Sequence, residues 1–235
     1  MRQQILKSTF IVSAVLFTGL ASNAYALEPF KAEYQFQYNG KNLGSASRTL
    51  TQSGQKWNYV FAARAAGLAS ATETSQFKFT NGRIVSDSFN RKSKVLVRSD
   101  STRIVFNATN KTIQTHTSKN DTTRSFAWSN AALDDLNAEL QIREDLKNNQ
   151  LRAKYYITDA KEVEGRKFVK AGNESVKTPA GTYDTIKVVL KHDKPGRETI
   201  FWMAPQLDYL PVKMSHVDKK DSYGLMLKSY KGPTN

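Results

Sequence analysis

The sequence predicts a mainly β protein: a curled antiparallel sheet, barrel or half-barrel, of about ten to twelve strands with one central helix. Three observations predict it. Apolar and polar residues alternate with period two along most of the chain. Turn-forming clusters recur about every 8–12 residues. One segment alone, Ser129–Asn149, is rich in helix formers and free of Gly and Pro.

The strands are read in chain order. In Glu33–Tyr38 the aromatic residues Tyr34, Phe36 and Tyr38 share one face, and Asn39-Gly40 follows as a turn. Leu43–Gln52 is a weaker strand closed by Ser53-Gly54. Trp57, Tyr59 and Phe61 line one face of the next, and Phe77 and Phe79 lead up to the turn Asn81-Gly82. Val95–Val97, Ile104–Phe106 and Thr112–Thr117 are read as three more strands.

In the helical segment, Ser129 or Asn130 can cap the start, and Asp134 and Asp135 suit the positive end of the helix dipole. Leu133, Leu136 and Leu140 form one apolar stripe. Ile142 and Leu146 fall roughly opposite, so the helix is expected to be buried between layers. Strands resume at Tyr155–Thr158, Arg166–Lys170, Tyr183–Lys191, Glu198–Met203, Pro211–Val217 and Gly224–Tyr230. Thr178–Gly181 and Asp193–Gly196 are turns between them, with Gly181 suited to a positive φ. Ile200, Phe201, Trp202 and Met203 make an apolar run, expected to be a central strand buried on both faces.

Residues 1–26 read as a secretory signal. Arg2 and Lys7 precede the apolar run Phe10–Leu20, and Ala24-Tyr25-Ala26 gives a small-x-small cleavage pattern. The apolar run is shorter than the ~20 residues a membrane-spanning helix needs. Residues 27–235 are then one domain, and removing Arg2 and Lys7 with the leader lowers the net charge from +14 to +12. Zero cysteines exclude disulfides, thiolate metal sites, thiol catalysis and a lipid tether attached through Cys. The expected location is the periplasm, with secretion as the alternative.

No catalytic or metal motif stands out. His116, His192 and His216 are far apart in the chain, and no nucleophile elbow, phosphate-binding loop or dinucleotide fingerprint occurs. No metal ligands, catalytic residues or cofactor are therefore assigned, and the protein is expected not to be an enzyme. The positive charge is concentrated. From Lys78 to Arg124 ten basic residues face three acidic ones, a net of +7. An exported chain without a nucleic-acid motif points away from nucleic acid. Lipid headgroups or other anionic envelope components suit such a face better. The central helix and the dense charge argue against a membrane-spanning barrel.

Two segments carry a resemblance. One is Asn173–Val188, with the turn Thr178-Pro179-Ala180-Gly181; the other is Phe201-Trp202-Met203-Ala204-Pro205 followed by Tyr209-Leu210-Pro211-Val212-Lys213. The chain resembles the exported bacterial domain-of-unknown-function family 3108, which brings no catalytic residues with it. At fold level the Trp202 strand and Leu210-Pro211 are similar to the Lol-type lipoprotein carriers. That resemblance implies a curled half-barrel around an apolar cavity that accepts acyl chains.

The function expected from the sequence is binding of an apolar or amphiphilic, lipid-like ligand in envelope maintenance. Trp57, Phe61 and Trp202 are the candidate cavity wall, and Arg91, Lys94, Arg98 and Arg103 are the candidate partners for phosphates. The alternatives are an envelope interaction module with a filled core, which contacts protein or polysaccharide, and a divergent enzyme built on converging carboxylates. Cavity volume separates the first two, since a ligand site needs about 300–1,000 Å³.

Overall fold

The computed structural model describes residues 27–128 and 131–232. The expected signal segment, residues 1–26, lies outside the described residues. Eight strands come first: β1 (Phe30–Tyr38), β2 (Lys41–Ser53), β3 (Lys56–Ala65), β4 (Ala69–Thr80), β5 (Arg83–Val95), β6 (Arg98–Asn107), β7 (Thr112–Thr117) and β8 (Thr122–Ala127). The helix α1 (Asp135–Lys147) follows. Six more strands complete the chain: β9 (Tyr155–Thr158), β10 (Val163–Thr178), β11 (Gly181–Lys191), β12 (Arg197–Ala204), β13 (Leu210–Asp218) and β14 (Asp221–Lys231).

The strands form one 14-stranded antiparallel sheet, ordered β8 to β1 and then β14 back to β9. The count exceeds the ten to twelve expected because polar strands such as β8, Thr-Thr-Arg-Ser-Phe-Ala, lack an apolar alternation that would reveal them. The sheet curls without closing, with β8 and β9 as its edges. The two halves meet through side chains: Thr115 Oγ1 on β7 donates to the carbonyl of Ala160, just after β9, at 2.9 Å. Leu133 covers β9 by pairing with Ile157.

Asn39-Gly40 and Asn81-Gly82 form tight turns with positive φ at both residues, the conformation Asn-Gly favours in a hairpin. Val95–Val97 differs from its expected strand. β5 and β6 pair as far as Val95 with Arg98, so Leu96 and Val97 form the hairpin loop, with Leu96 at φ 54°.

The helix is shorter than its compositional segment. Its cap is Asp134, whose carboxylate accepts hydrogen bonds from the backbone N–H groups of Leu136 and Asn137. The expected caps Ser129 and Asn130 lie outside the described residues. Leu133 is not helical because its N–H donates to Tyr156 O and its carbonyl accepts from Thr158 N. Every residue from Leu136 to Leu146 is buried. The helix therefore runs inside the curl, as its two apolar sides predict.

Several of those buried residues are polar, and burial without partners would be costly. Glu139 accepts from the Arg48 guanidinium at 2.7 and 3.0 Å and from the Tyr59 hydroxyl at 2.7 Å. Gln141 accepts from Ile84 N at 2.8 Å and donates to Gly82 O at 3.0 Å. Asp145 accepts from the Tyr155 hydroxyl at 2.7 Å and pairs with Arg152 at 2.8 Å. These bonds fix α1 against β2, β3, β5 and β9 at once.

Candidate functional site

The helix fills only part of the interior. Beside it lies a cavity of about 700 Å³, bounded by α1, the inner faces of β10 to β13 and Arg48, Phe61, Glu73 and Arg91 of β2 to β5. Asp135, Ala138, Glu139 and Ile142, at helical spacings of three and four, form its helix wall. Period-two alternation supplies the sheet wall: Val188 and Leu190 come from β11, and Phe201 and Met203 from β12. Phe61, Phe168 and Met214 complete an apolar interior.

Charge gathers along one part of the lining. Arg91 Nε pairs with Glu73 Oε1 at 2.7 Å. Asp135 stands between Arg91, at 3.7 Å, and Arg166, at 3.0 Å. This chain of ion pairs links β5 to β10 across the first turn of α1. Burial raises the Glu73 carboxyl pKa, and Arg91 works in the opposite direction. Four acidic residues thus converge on the cavity: Glu73, Asp135 and Glu164 each pair with Arg91 or Arg166, and Glu139 pairs with Arg48.

Elsewhere on the wall the Thr199 hydroxyl lies between two imidazoles, 2.8 Å from His192 Nε2 and 2.7 Å from His216 Nδ1. Partial burial lowers the His192 pKa, and Arg197 and His216 lower it further. Arg197, also in the lining, is paired with Asp218. Among the described residues no three His, Cys, Asp or Glu side chains form a metal-binding group.

On the cavity wall Arg48 is itself buried and stacks over Tyr34 and Phe61, 5.2 and 4.9 Å from the ring centroids. Burial opposes the Arg48 charge, but Glu139, Tyr59 and Tyr34 together outweigh it and the pKa is raised. Burial pushes the Asp134 carboxyl up to about 7, against hydrogen bonds from Ser75 and the Asn137 backbone that favour its ionised form.

A smaller apolar pocket, about 320 Å³, shares Phe61 and Met214 with the main cavity. It reaches Ala65, Ala69 and Val95 at the end of the sheet.

Two of the sequence-predicted residues, Phe61 and Arg91, line the cavity. The other five lie elsewhere. Trp57 is buried in the core, stacked on Phe77 at 6.4 Å. Trp202 alternates with the cavity-lining Phe201 and Met203 and so points to the outer face. There it is flanked in register by Lys187 and Lys213. The Lys213 ammonium sits 4.2 Å from the ring centroid, and the indole N–H donates to Glu174 at 3.0 Å, so the ring is buried without joining the cavity. Lys94 lines a shallow polar groove with Lys92 and Ser101. Arg98 begins β6 at the hairpin tip, and Arg103 is exposed on the face opposite buried Ile104. The positive stretch is therefore split between an inward Arg91 and outward neighbours.

Sequence reasoning missed Ile142, Phe168, Phe201, Met203 and Met214. For Phe201 and Met203 a signal existed, because alternation puts them on the face opposite Trp202. The positions of Phe168 and Met214 follow from the curl and have no local signal.

Among the described residues no helix is long and apolar enough to cross a membrane. No curated protein matches the chain. A β-barrel-like protein of domain of unknown function DUF1849 from Brucella abortus is similar in structure, with a TM-score of 0.58 at 12% identity, covering 89% of this chain and 99% of that one. A candidate lipoprotein from Parabacteroides distasonis gives a TM-score of 0.32 at 13% identity, covering 87% of this chain and 96% of that one. The model of the DUF3108 family, described as a protein of unknown function, matches residues 33–228, and the chain belongs to that family.

Proposed function

We propose that this is an exported envelope protein that binds an amphiphile in the cavity beside α1, without chemical turnover. The observation that carries the reading is a cavity of about 700 Å³ with an apolar interior and arginines along one part of its lining. Phe168, Phe201, Met203 and Met214 suit an acyl chain, which gains by leaving water. Arg91 and Arg166 suit an acidic headgroup, which would compete with Asp135 for them. Glu139 and Gln141 of α1 are already bonded to the sheet. The signal-like residues 1–26 support a periplasmic location. The likeness to Lol-type carriers supports the ligand class, though the interior here holds a helix.

Lipid extraction and mass spectrometry of protein purified from a bacterial periplasm test the proposal. The expected result is a fatty acid or phospholipid near one equivalent per protein. Protein that carries no lipid and takes up none on incubation with vesicles would overturn it.

A further inference from the structure

Among the described residues the large apolar side chains that stand exposed are Leu68, Val85, Val95, Leu96, Val97 and Tyr223. Four of them, Leu68, Val95, Leu96 and Val97, occupy two neighbouring hairpin tips. The tip between β3 and β4 carries Leu68, and the tip between β5 and β6 carries the other three. A hydrogen bond from Leu96 N to Leu68 O, 2.8 Å, ties the tips together. Val97 is 92% exposed.

Turn chemistry does not account for these residues. Asn39-Gly40 and Asn81-Gly82 show what this sheet uses where a hairpin only has to turn. Leu96 instead takes a positive φ, which costs a branched side chain steric strain and here also exposes it.

The surrounding charge indicates what covers the tip. From Ser88 to Ser99 the chain carries Arg91, Lys92, Lys94 and Arg98 and no acidic residue. Arg91 turns inward to Glu73, while Lys92, Lys94 and Arg98 are exposed beside the apolar apex. Arg64 adds a fourth exposed cation in register with Ser70 and, one strand further, Lys94. An apolar point ringed by cations matches a bilayer surface. The apolar side chains reach the acyl boundary while the cations stay at the level of anionic phosphates.

We infer that the β3–β4 and β5–β6 hairpin tips dock on an anionic lipid bilayer, with Leu68, Leu96 and Val97 inserted and Arg64, Lys92, Lys94 and Arg98 on the headgroups. The smaller apolar pocket opens beside Val95, so docking brings its mouth to the membrane. Docking stands on the surface alone and does not require the main cavity to hold lipid.

Flotation of the folded protein with phosphatidylcholine vesicles, with and without phosphatidylglycerol, tests the inference. The protein is expected to float with the phosphatidylglycerol vesicles at low salt and less as salt rises. The double variant Leu96→Asp/Val97→Asp should lose binding by about tenfold or more. Lys92→Gln/Lys94→Gln, which leaves the apex intact along with Arg64 and Arg98, should weaken binding and remove about half of the salt dependence. Titration of the cavity with an apolar probe should be unchanged in both variants, which separates docking from ligand binding. The inference is overturned if the parent ignores anionic vesicles, or if the apex variant floats as well as the parent. It is also overturned if the tips instead drive concentration-dependent self-association that the apex variant abolishes.

Discussion

The two flanks of α1 meet the same sheet in opposite ways. Toward β4 and β5 the helix presents Asp134, Asn137 and Gln141, and each is hydrogen-bonded: Asp134 to Ser75, Asn137 to Ser86 and Gln141 to the backbone of Gly82 and Ile84. Toward β10 to β13 it presents Ala138 and Ile142 to a cavity walled by Phe168, Phe201 and Met203. One flank is filled and held by directional bonds, while the other is left hollow. Helix and sheet need only one close contact to fix their relative position. The polar flank provides it, and the apolar flank is free to accept a ligand. Substitutions on the polar flank should therefore change stability, and those on the hollow flank should change binding.

The largest expected effect comes from Glu139, which borders both the filled flank and the cavity. Glu139→Ala leaves the buried Arg48 guanidinium without its carboxylate and Tyr59 without its acceptor. The expected loss is about 3–5 kcal/mol, read from urea unfolding. A loss of less than about 1 kcal/mol would mean that Arg48 finds water or another partner, and the flank would not be the fixed one.

A pH-dependent effect is expected at Asp134. Its pKa is near 4 in an unfolded chain and is raised to about 7 in the folded protein. Between these values the native state binds a proton that the unfolded state releases. This site's contribution to stability is thus greatest below about pH 4 and is lost as pH rises toward 7. Asp134→Asn keeps an acceptor for the helix cap and removes the titration. The gap between parent and variant urea midpoints should shift in favour of the variant across this window. Parallel curves would show that hydrogen bonding from Ser75 and the helix N-terminus keeps Asp134 ionised throughout.

The least expected effect on binding is at Trp202, the most conspicuous aromatic of the C-terminal half. Its ring lies on the outer face beneath Lys213, so Trp202→Ala should leave the affinity of a cavity probe within about twofold of the parent's. A loss of tenfold or more would place the ligand on the outer face instead.

Much of the fold was legible in the sequence because it is local. Alternation in Glu33–Tyr38, the Asn-Gly turns and the composition of 129–149 each report on a few neighbouring residues. The burial of α1 was legible from its two apolar sides. What did not show is what depends on the curl. Leu133 leaves the helix because β9, more than twenty positions later, takes its backbone bonds. Val95–Val97 has the composition of a strand, yet the pairing of β5 with β6 makes its last two residues a loop. The site was read from the largest aromatics and the densest positive stretch. Side-chain size does not say which face of a strand is inward, and alternation then separated Trp202 from Phe201 and Arg91 from Lys92 and Lys94.

The central claim is that the hollow flank binds an amphiphile. Its most direct test is displacement of an apolar naphthylamine probe by a lysophospholipid, compared between the parent and Ile142→Trp, which puts an indole into the cavity from α1. The account predicts saturable probe binding by the parent and displacement by the lysophospholipid. It predicts at least about a tenfold loss of both affinities in Ile142→Trp, with the urea midpoint retained. No saturable binding by the parent, or equal binding by a folded Ile142→Trp, would contradict it.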